Sequence, residues 1–433
     1  MAYTADDLNR AITIDGLMWT PRWRINNGRK GVYVIPFPTT YPVNIVYHGE
    51  SEFKYGQYGI HLGQQDSLTF FGDETHLIHA KFIDCRVNSP TYHVALELTF
   101  TPSSERTLII PPGVAHTFHN LENVYTINSY SLFLPSVEQL SKENVDWSPA
   151  SDVINLPENI APADVPGYVP MTEEASDLVY HRIAEYQEIN LKNHRFQHME
   201  TREFTLDTGE VVTLRIKEPL QGEAKKSTPH SKIQGVTFRP LSSIKTGKES
   251  CIVPLTRVSP MYVVEHGGEC YDFNSYGLHL GQEDHLVFLG PSKQKITIKL
   301  VDMRDESPTK FAEDEVSFYP EPDVELVIPC GVAHALYNLS NVFTVNRPVL
   351  YLDDAATYRP GHDVIDWPVA DTNYRSFKPN TIPADLDFYE SIVSKQKEIV
   401  ATPATHGTPK TIVIYDENAS KYVKVVLREK ATA

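Results

Sequence analysis

The chain has 433 residues, enough for more than one domain, and 41% of them are hydrophobic, which excludes a disordered protein. A formal net charge of −17 argues against binding to duplex nucleic acid or to an anionic membrane, because both need a basic face. We find no apolar run of membrane-spanning length, no signal-peptide core and no CxxC pair among the four cysteines, so we expect a cytoplasmic protein without nucleic-acid or membrane partners.

In chain order, the first half predicts short strands joined by turns, then one helix and one hairpin. "THLIHAKFIDCR" is rich in strand formers, and "TLIIPPG" is a strand closed by a Pro-Gly turn. A helix is expected from about Thr172 to Glu188, and "REFTLDTGEVVTLRIKE" from Arg202 predicts the hairpin. The apolar face expected for that helix consists of Ala175, Leu178, Val179 and Ile183. Many short strands with few helices indicate a sandwich or a barrel such as the jelly roll.

The second half repeats the first. "LIIPPGVAHTFHNLENVYTIN" starts at Leu108, and "LVIPCGVAHALYNLSNVFTVN" starts 218 residues later (326 − 108), at Leu326. "YGIHLGQQDSLTFFG" from Tyr58 and "YGLHLGQEDHLVFLG" from Tyr276 share this offset, and a second hairpin is predicted from Lys410. A fixed offset of this length indicates a tandem duplication. We predict two domains, 1–222 and 223–433, divided in the polar stretch "QGEAKKSTPHSK".

A third repeated segment reads "IDCRVNSPT" in the first half and "VDMRDESPT" in the second. Each copy carries an aspartate two residues before an arginine. We interpret Asp84 with Arg86, and Asp302 with Arg304, as structural ion pairs at a strand end.

The repeated motifs resemble those of a known family. "PPGVAHTFHN" and "PCGVAHALYN" fit P-x-G-x-x-H-x-x-x-N, which resembles the second cupin motif. "GIHLGQ" and "GLHLGQ" are similar to the "RGLHYQ" segment of the dTDP-4-dehydrorhamnose 3,5-epimerase (RmlC-like) family, and the third repeated segment is similar to its "VDxRxxSPTY". The resemblance covers most of both halves. It implies a mainly β fold of two tandem cupin (jelly-roll, RmlC-like) barrels, each with a small helix and hairpin appended.

The resemblance also implies a chemistry that needs no cofactor. A histidine of the GLH segment removes the proton beside a ketone of a nucleotide-linked sugar, and histidine suits this task because its pKa lies near neutrality. The bases would be His61 and His279, with His116 and His334 as their neighbours. A tyrosine would return the proton, and a carboxylate near the domain end would orient the base. The candidates for the tyrosine are Tyr125 and Tyr130, and the candidates for the carboxylate are Asp146 and Asp366.

The first half is the better candidate for activity, because Phe343 and Pro348 stand at the second-half positions that match Tyr125 and Tyr130. Substrate contacts are expected from residues that replace the family's arginines or that recur beside the histidines. In the first half these are Lys30, His48, Tyr58, Gln64 and His119, and in the second half His266, Tyr276 and Gln282.

Two other functions fit the same residues. A metal-dependent bicupin, acting as a dioxygenase or an isomerase, would bind Fe, Mn, Ni or Zn through His48, His61 and His116, because imidazole suits these metals. The HxH pair and the glutamate of the first cupin motif are not present in standard form, which weighs against this hypothesis. A non-catalytic carbohydrate-binding protein is the third hypothesis. In each case the partner is a small carbohydrate or a nucleotide sugar. The two halves would pack like the family's dimer, and a further homodimer is compatible with the sequence.

Overall fold

The computed structural model describes residues 4–22, 24–26, 32–134, 153–159, 173–197, 201–215, 229–245, 250–268, 271–353, 364–401, 410–416 and 421–427. Strands dominate these ranges, as the sequence predicts. The domain boundary predicted at 222/223 lies outside the described residues.

The first half contains two helices and sixteen strands within its described residues. The elements are α1 (Ala5–Asn9), β1 (Met18–Pro21), β2 (Ile25–Asn26), β3 (Tyr33–Phe37), β4 (Val43–Tyr47), β5 (Gln57–His61), β6 (Gln64–Phe71), β7 (Ile78–Asp84), β8 (Ala95–Phe100), β9 (Ser103–Ile110), β10 (Val114–His119), β11 (Tyr125–Asn128), β12 (Ser131–Leu134), β13 (Val153–Pro157), β14 (Glu173–Glu174), α2 (Asp177–Gln197), β15 (Thr201–Thr205) and β16 (Val211–Arg215).

The second half repeats most of this order. Its elements are β17 (Thr237–Pro240), β18 (Ile244–Lys245), β19 (Cys251–Leu255), β20 (Met261–Glu265), β21 (Ser275–Leu278), β22 (Gln282–Leu289), β23 (Ile296–Asp302), β24 (Glu313–Phe318), β25 (Val324–Ile328), β26 (Val332–Tyr337), β27 (Phe343–Asn346), β28 (Val349–Leu352), β29 (Ile365–Pro368), β30 (Ile382–Pro383), α3 (Leu386–Ala401), β31 (Lys410–Asp416) and β32 (Lys421–Leu427).

Each barrel consists of two antiparallel sheets that face each other across an apolar core. In the first barrel, the large sheet runs β1-β9-β6-β11-β4-β19-β18 and the small sheet runs β13-β5-β10-β7-β8. In the second, the sheets run β17-β25-β22-β27-β20-β3-β2 and β24-β23-β26-β21-β29. Strands such as β7 alternate buried and more exposed residues, which is the pattern of a sheet with one face on the core. The predicted fold class, two tandem jelly-roll barrels of cupin type, is confirmed.

The two halves exchange strands. β19, from the second half, pairs with β4 of the first along Cys251↔Tyr47 to Leu255↔Val43. In return β3, from the first half, pairs with β20 of the second along Met261↔Phe37 to Glu265↔Tyr33. One buried cluster joins these strands, and it includes Ile35, Ile45, Val253 and Val263. Each large sheet therefore contains strands from both sequence halves.

The repeated S-P-T segment forms a turn that is attached to a buried aspartate. Arg86 donates to Oδ1 and Oδ2 of Asp84 at 2.8 and 2.9 Å, and the hydroxyls of Ser89 and Thr91 donate to Oδ2 at 2.5 and 2.6 Å. The second copy repeats the same contacts around Asp302. The backbone N–H of Arg86 also donates to Oδ1 of Asp84, at 3.0 Å. Five hydrogen bonds to one carboxylate explain why the whole motif recurs, since each replaces a hydrogen bond to water that burial removes.

The appended helices pack on the barrels through a tyrosine. Tyr180 of α2 accepts a hydrogen bond from the backbone N–H of Leu132 at 2.6 Å, and Tyr389 of α3 accepts one from Leu350 at 3.0 Å. α2 starts later and runs further than predicted, and Leu178, expected on its buried face, is 58% exposed. The hydrophobic residues of α2 that are buried are Val179, Tyr180, Ile183 and Ala184. The predicted hairpins are present as β15–β16 and β31–β32.

None of the helices in the described parts of the chain combines the length and the apolar character needed to span a bilayer.

Candidate active site

A cavity lies between the two sheets of each barrel. The first has a volume of about 580 Å³ and contains His48, His61, Gln64, Asp66 and His116. The second has a volume of about 320 Å³ and contains the matching residues His266, His279, Gln282, Asp284 and His334. Both combine a polar group on one side with apolar walls, as small-molecule sites do.

Strand geometry directs the histidines into the cavity. Successive side chains of a strand point to opposite faces, so Gly59 and His61 of β5 face inward, while Tyr58 faces the other way. His116 of β10 lies directly opposite Gly59 in the register, and glycine leaves room for its imidazole ring. In the second barrel Gly277 lies opposite His334 in the same way.

Two imidazoles and one carboxylate converge in the first cavity. Nε2 of His61 lies 3.5 Å from Oδ2 of Asp66, and Nε2 of His116 lies 3.4 Å from the same oxygen. The two ring centroids are 5.9 Å apart. Asp66 is buried, so these atoms interact in a medium of low dielectric.

Hydrogen bonds fix the orientation of the carboxylate. The other oxygen of Asp66, Oδ1, accepts hydrogen bonds from the amides of Gln64 at 2.7 Å and Asn128 at 2.8 Å. Burial alone would raise the pKa of Asp66, but the adjacent His61 and His116 and the two amides hold it below its ordinary value. Asp66 therefore presents an ionised oxygen to both histidines.

When His116 is neutral, its Nε2, the ring nitrogen that faces Asp66, carries a lone pair and no proton. Nδ1 lies 3.1 Å from the carbonyl oxygen of Val114, which can only accept, so Nδ1 carries the proton when the ring is neutral. Burial lowers the pKa of His116, against the opposing effect of Asp66. A neutral imidazole thus turns a lone pair toward a carboxylate oxygen. This arrangement is repulsive unless a cation, either a proton or a metal ion, lies between the two atoms.

The distances fit a transition-metal ion. With bonds of about 2.1 Å to a common ion, ligand atoms separated by 3.4–3.5 Å subtend an angle of about 110°, which is tetrahedral. Two imidazoles and one carboxylate form a donor set used by zinc and by non-haem iron, with positions left open for a substrate. The contact of Nδ1 of His116 with Val114 also supplies the outer hydrogen bond typical of metal-bound histidines.

The second barrel repeats this group of two histidines and one aspartate, with one of its two nitrogen–oxygen distances longer than in the first barrel. Nε2 of His334 lies 3.4 Å from Oδ2 of Asp284, and Nε2 of His279 lies 3.9 Å from it. Gln282 and Asn346 donate to Oδ1 of Asp284, each at 2.7 Å. Both groups meet the geometric requirements for holding a metal ion.

His48 lies in the first cavity but has a different set of partners. Its Nδ1 is 3.2 Å from the carbonyl oxygen of Val124, and its Nε2 is 3.1 Å from the hydroxyl of Tyr55. Burial lowers the pKa of His48 to about 4, so the ring is neutral and its Nε2 accepts from Tyr55. Both nitrogens are thus engaged. The metal set predicted from the sequence, with His48 as the third ligand, is corrected to one with Asp66 in that place.

The structure brings together most of the predicted histidines and glutamines, but not the predicted proton donors. Tyr125 is buried between the barrels, where its hydroxyl donates to the carbonyl of Gly290. Tyr130 is buried against α2, where Gln187 donates to its hydroxyl at 3.4 Å. Neither tyrosine lines the cavity of His61. The tyrosine in that cavity is Tyr55, whose second-half counterpart is Phe273.

Other predicted contacts lie elsewhere. Tyr58 and Tyr276 pack in clusters on the outer face of the small sheets, and His119 pairs with Glu158 at 3.0 Å. Asp366 is exposed on β29, opposite Gly277 in the register, and is not among the described residues that line the second cavity. Lys30 and Asp146 lie outside the described residues.

Sequence reasoning missed Asp66 and Asp284. The signal was present, because each stands two residues after the repeated G-[IL]-H-L-G-Q segment, at the same offset of 218 residues as the histidines. An aspartate five residues after the histidine takes the place expected for the glutamate of the first cupin motif.

No protein-family profile matches the chain. No curated protein matches it either. Solved structures similar to part of it include a sugar 3,4-ketoisomerase from Thermoanaerobacterium thermosaccharolyticum in complex with TDP, at 15% identity over 38% of this chain and 97% of that one, with a TM-score of 0.23. The oxalate decarboxylase of Lactobacillus farciminis, in a formate complex, is 8% identical over 77% of this chain and 87% of that one, with a TM-score of 0.19. Because these identities and TM-scores are low, the geometry of the site alone indicates which chemistry it can perform.

Proposed function

We propose that this chain is a metal-dependent enzyme of isomerase type, that each cavity holds one divalent transition-metal ion, and that the reaction takes place in the first cavity. The observation that carries the proposal is the convergence of His61 and His116 on one oxygen of Asp66, repeated in the second barrel. A bound ion would supply a Lewis acid that polarises the carbonyl group of a small substrate.

The remaining polar groups of the first cavity support proton transfer beside that carbonyl. Tyr55 donates to Nε2 of His48, and Nδ1 of His48 is held by the carbonyl of Val124. The hydroxyl of Tyr55 can return a proton to a carbon beside the carbonyl and regain one from solvent, while the neutral imidazole of His48 holds the hydroxyl in place. Leu68, Phe70 and Phe118 form apolar walls that limit access of water.

The second cavity has the metal-binding group without this pair. Phe273 stands where the first barrel has Tyr55, and the cavity is smaller. We assign the reaction to the first barrel and an ion-binding, structural role to the second.

The metal-free isomerase remains a second candidate, because the same histidines satisfy it. His116 presents a basic nitrogen to the cavity, and a protonated His61 would neutralise Asp66 without any metal. This is the site that the GLH resemblance implies for a keto-sugar epimerase. The two candidates differ in whether a stoichiometric metal is present.

Metal analysis of untagged protein decides between them. Under the proposal, inductively coupled plasma mass spectrometry finds two ions per chain, and Asp66→Asn lowers this to one, because asparagine removes the anionic ligand while keeping the shape. Asp284→Asn is the matched variant and also leaves one ion. The proposal fails if the wild-type protein contains no stoichiometric metal, or if metal content is the same in both variants as in the wild type.

A further inference from the structure

The first cavity contains polar atoms that the proposed metal centre does not use. Oδ1 of Asn44 and the hydroxyl of Thr126 are buried and have no hydrogen-bond partner within the described residues. Both side chains line the cavity, and they are only 3% and 4% exposed. A buried polar atom without a partner costs free energy, so two in one cavity indicate groups that a ligand satisfies.

Strand pairing places these atoms beside the metal-binding group. Asn44 of β4 lies directly opposite Asn128 of β11, the residue whose amide donates to Asp66. Thr126 is two residues before Asn128 on the same face of β11. A molecule held at the His-Asp-His group therefore extends along β4 and β11 toward Asn44 and Thr126.

One side-chain difference leaves the hydroxyl of Thr126 without a partner among the residues that the structure describes. In the first barrel the hydroxyl of Tyr55 occupies Nε2 of His48. In the second barrel Phe273 has no hydroxyl, and Nε2 of His266 instead contacts the hydroxyl of Thr344, the counterpart of Thr126, at 3.1 Å. Tyrosine at position 55 thus has two effects: it forms the pair with His48, and it leaves the hydroxyl of Thr126 without a hydrogen bond to that histidine.

The position of Asn44 also differs between the barrels. Its counterpart is Tyr262, which lies opposite Asn346 and lines the second cavity. The larger tyrosine replaces the amide, and the second cavity is smaller by almost half, at about 320 Å³ against about 580 Å³. The second barrel therefore has neither the free amide oxygen nor the free hydroxyl.

The charge of the lining indicates the class of ligand. Among the described residues around the first cavity there is no lysine and no arginine. A phosphate group placed inside would meet no cationic side chain among these described lining residues. An amide oxygen accepts from hydroxyl groups, a threonine hydroxyl both donates and accepts, and Leu68, Phe70 and Phe118 provide apolar contact for carbon-bound hydrogens.

We infer that Asn44 and Thr126 form a subsite of the first cavity that binds hydroxyl groups of a neutral polyhydroxylated carbonyl compound, such as an unphosphorylated ketose. This deepens the proposed function by naming its substrate class and rests on it. It narrows the expectation of a nucleotide-linked sugar, because the part of the ligand inside the cavity carries no phosphate.

The test uses D-fructose as the probe, with D-fructose 6-phosphate for comparison, in ligand-observed NMR titrations of the full chain. Thr126→Val removes the hydroxyl and keeps the shape of the side chain, and we expect about tenfold weaker binding of D-fructose, the effect of one lost hydrogen bond. Thr126→Ser should restore binding to near the wild-type value. Thr344→Val is the matched variant in the second barrel, and it should leave the affinity unchanged.

A second measurement separates ligand binding from folding. The ligand-free Thr126→Val protein should melt at the same temperature as the wild type or higher, since the change removes an unpaired buried hydroxyl. A threonine with a structural role would instead lower the melting temperature.

The inference is overturned if D-fructose does not bind, if Thr126→Val binds it as tightly as the wild type, or if D-fructose 6-phosphate binds more tightly than D-fructose. Metal content is measured on the same samples. Two ions per chain combined with one of these outcomes would refute the subsite and leave the proposed function standing. A chain without metal would refute the proposed function, whatever the sugar titrations show.

Discussion

At the scale of single residues, the difference between the barrels comes from a few positions in a shared framework. The His-Asp-His group and its supporting amides are the same in both. Tyr55 against Phe273 changes the partner of the neighbouring histidine from a tyrosine hydroxyl to a threonine hydroxyl. The tyrosine oxygen therefore decides whether the neighbouring histidine engages the threonine hydroxyl.

Replacing Tyr55 by phenylalanine should remove the Tyr55–His48 pair, which the second cavity also lacks because Phe273 stands in that position. We expect solvent deuterium exchange beside the carbonyl of a saturating ketose to slow by about 10²–10⁴-fold, because the proton-transfer group is lost. Metal content should not change, since Tyr55 is not a ligand. Proton NMR measures the exchange, and Phe273→Tyr, which should not slow it, is the control. An unchanged exchange rate in Tyr55→Phe would remove Tyr55 from the proposed chemistry.

At the scale of elements, the S-P-T turns connect stability to pH. Burial would raise the pKa of Asp84, but its hydrogen bonds from Arg86, Ser89 and Thr91 lower it to about 2. The pKa of Asp302 is lowered to about 2 in the same way. The unfolded chain has the ordinary aspartate pKa of about 3.9. Each turn therefore stabilises the fold fully above that value and progressively less as the pH falls toward 2.

We predict that each aspartate contributes about 2 kcal/mol to the free energy of unfolding at neutral pH, and that this contribution decreases between about pH 4 and pH 2. Urea titrations across this range measure the effect. The double variant Asp84→Asn/Asp302→Asn should be less stable at pH 7 and should lose this part of the pH dependence. Asp15→Asn, at an exposed site, should retain it. A double variant with the wild-type pH dependence would contradict the assignment.

At the scale of the whole molecule, the exchanged strands make the two barrels interdependent. β4 has β19 as its neighbour, and β20 has β3. Arg347, buried in the second half, donates to the carbonyls of Thr40 and Tyr41 in the first half at 2.9 and 2.6 Å. Neither large sheet is complete within its own half of the sequence, so the halves resemble two intertwined subunits joined in one chain.

A fragment of residues 1–222 should therefore not form a stable monomer. Without β19 the edge of β4 is unpaired, and an unpaired edge recruits another strand. We expect the fragment to dimerise, with β3 of one copy paired to β4 of the other, since these strands match the exchanged pair of the full chain. Light scattering coupled to size exclusion measures its mass. A folded monomeric fragment would show that each barrel can close without the exchange.

Much of the fold and part of the site could be predicted from the sequence. The duplication, the strand-rich barrels, the hairpins and the inward histidines follow from patterns of near neighbours, because side-chain alternation and Pro-Gly turns are local properties of the chain. Asp66 was within reach of the same reasoning, as a carboxylate fixed in the repeat.

Other features depend on contacts between distant parts of the chain. The burial of Tyr125 between the barrels, the partner of His48 and the unpaired hydroxyl of Thr126 are set by which strands lie side by side. The exchange of β3 and β19 has no signature in local periodicity, because a strand carries the same alternation whichever sheet it joins. The sequence by itself determined two barrels with histidine-bearing pockets. Tertiary structure alone decided which polar atoms meet in each pocket, since pairing across the sheets brings together residues far apart in the chain.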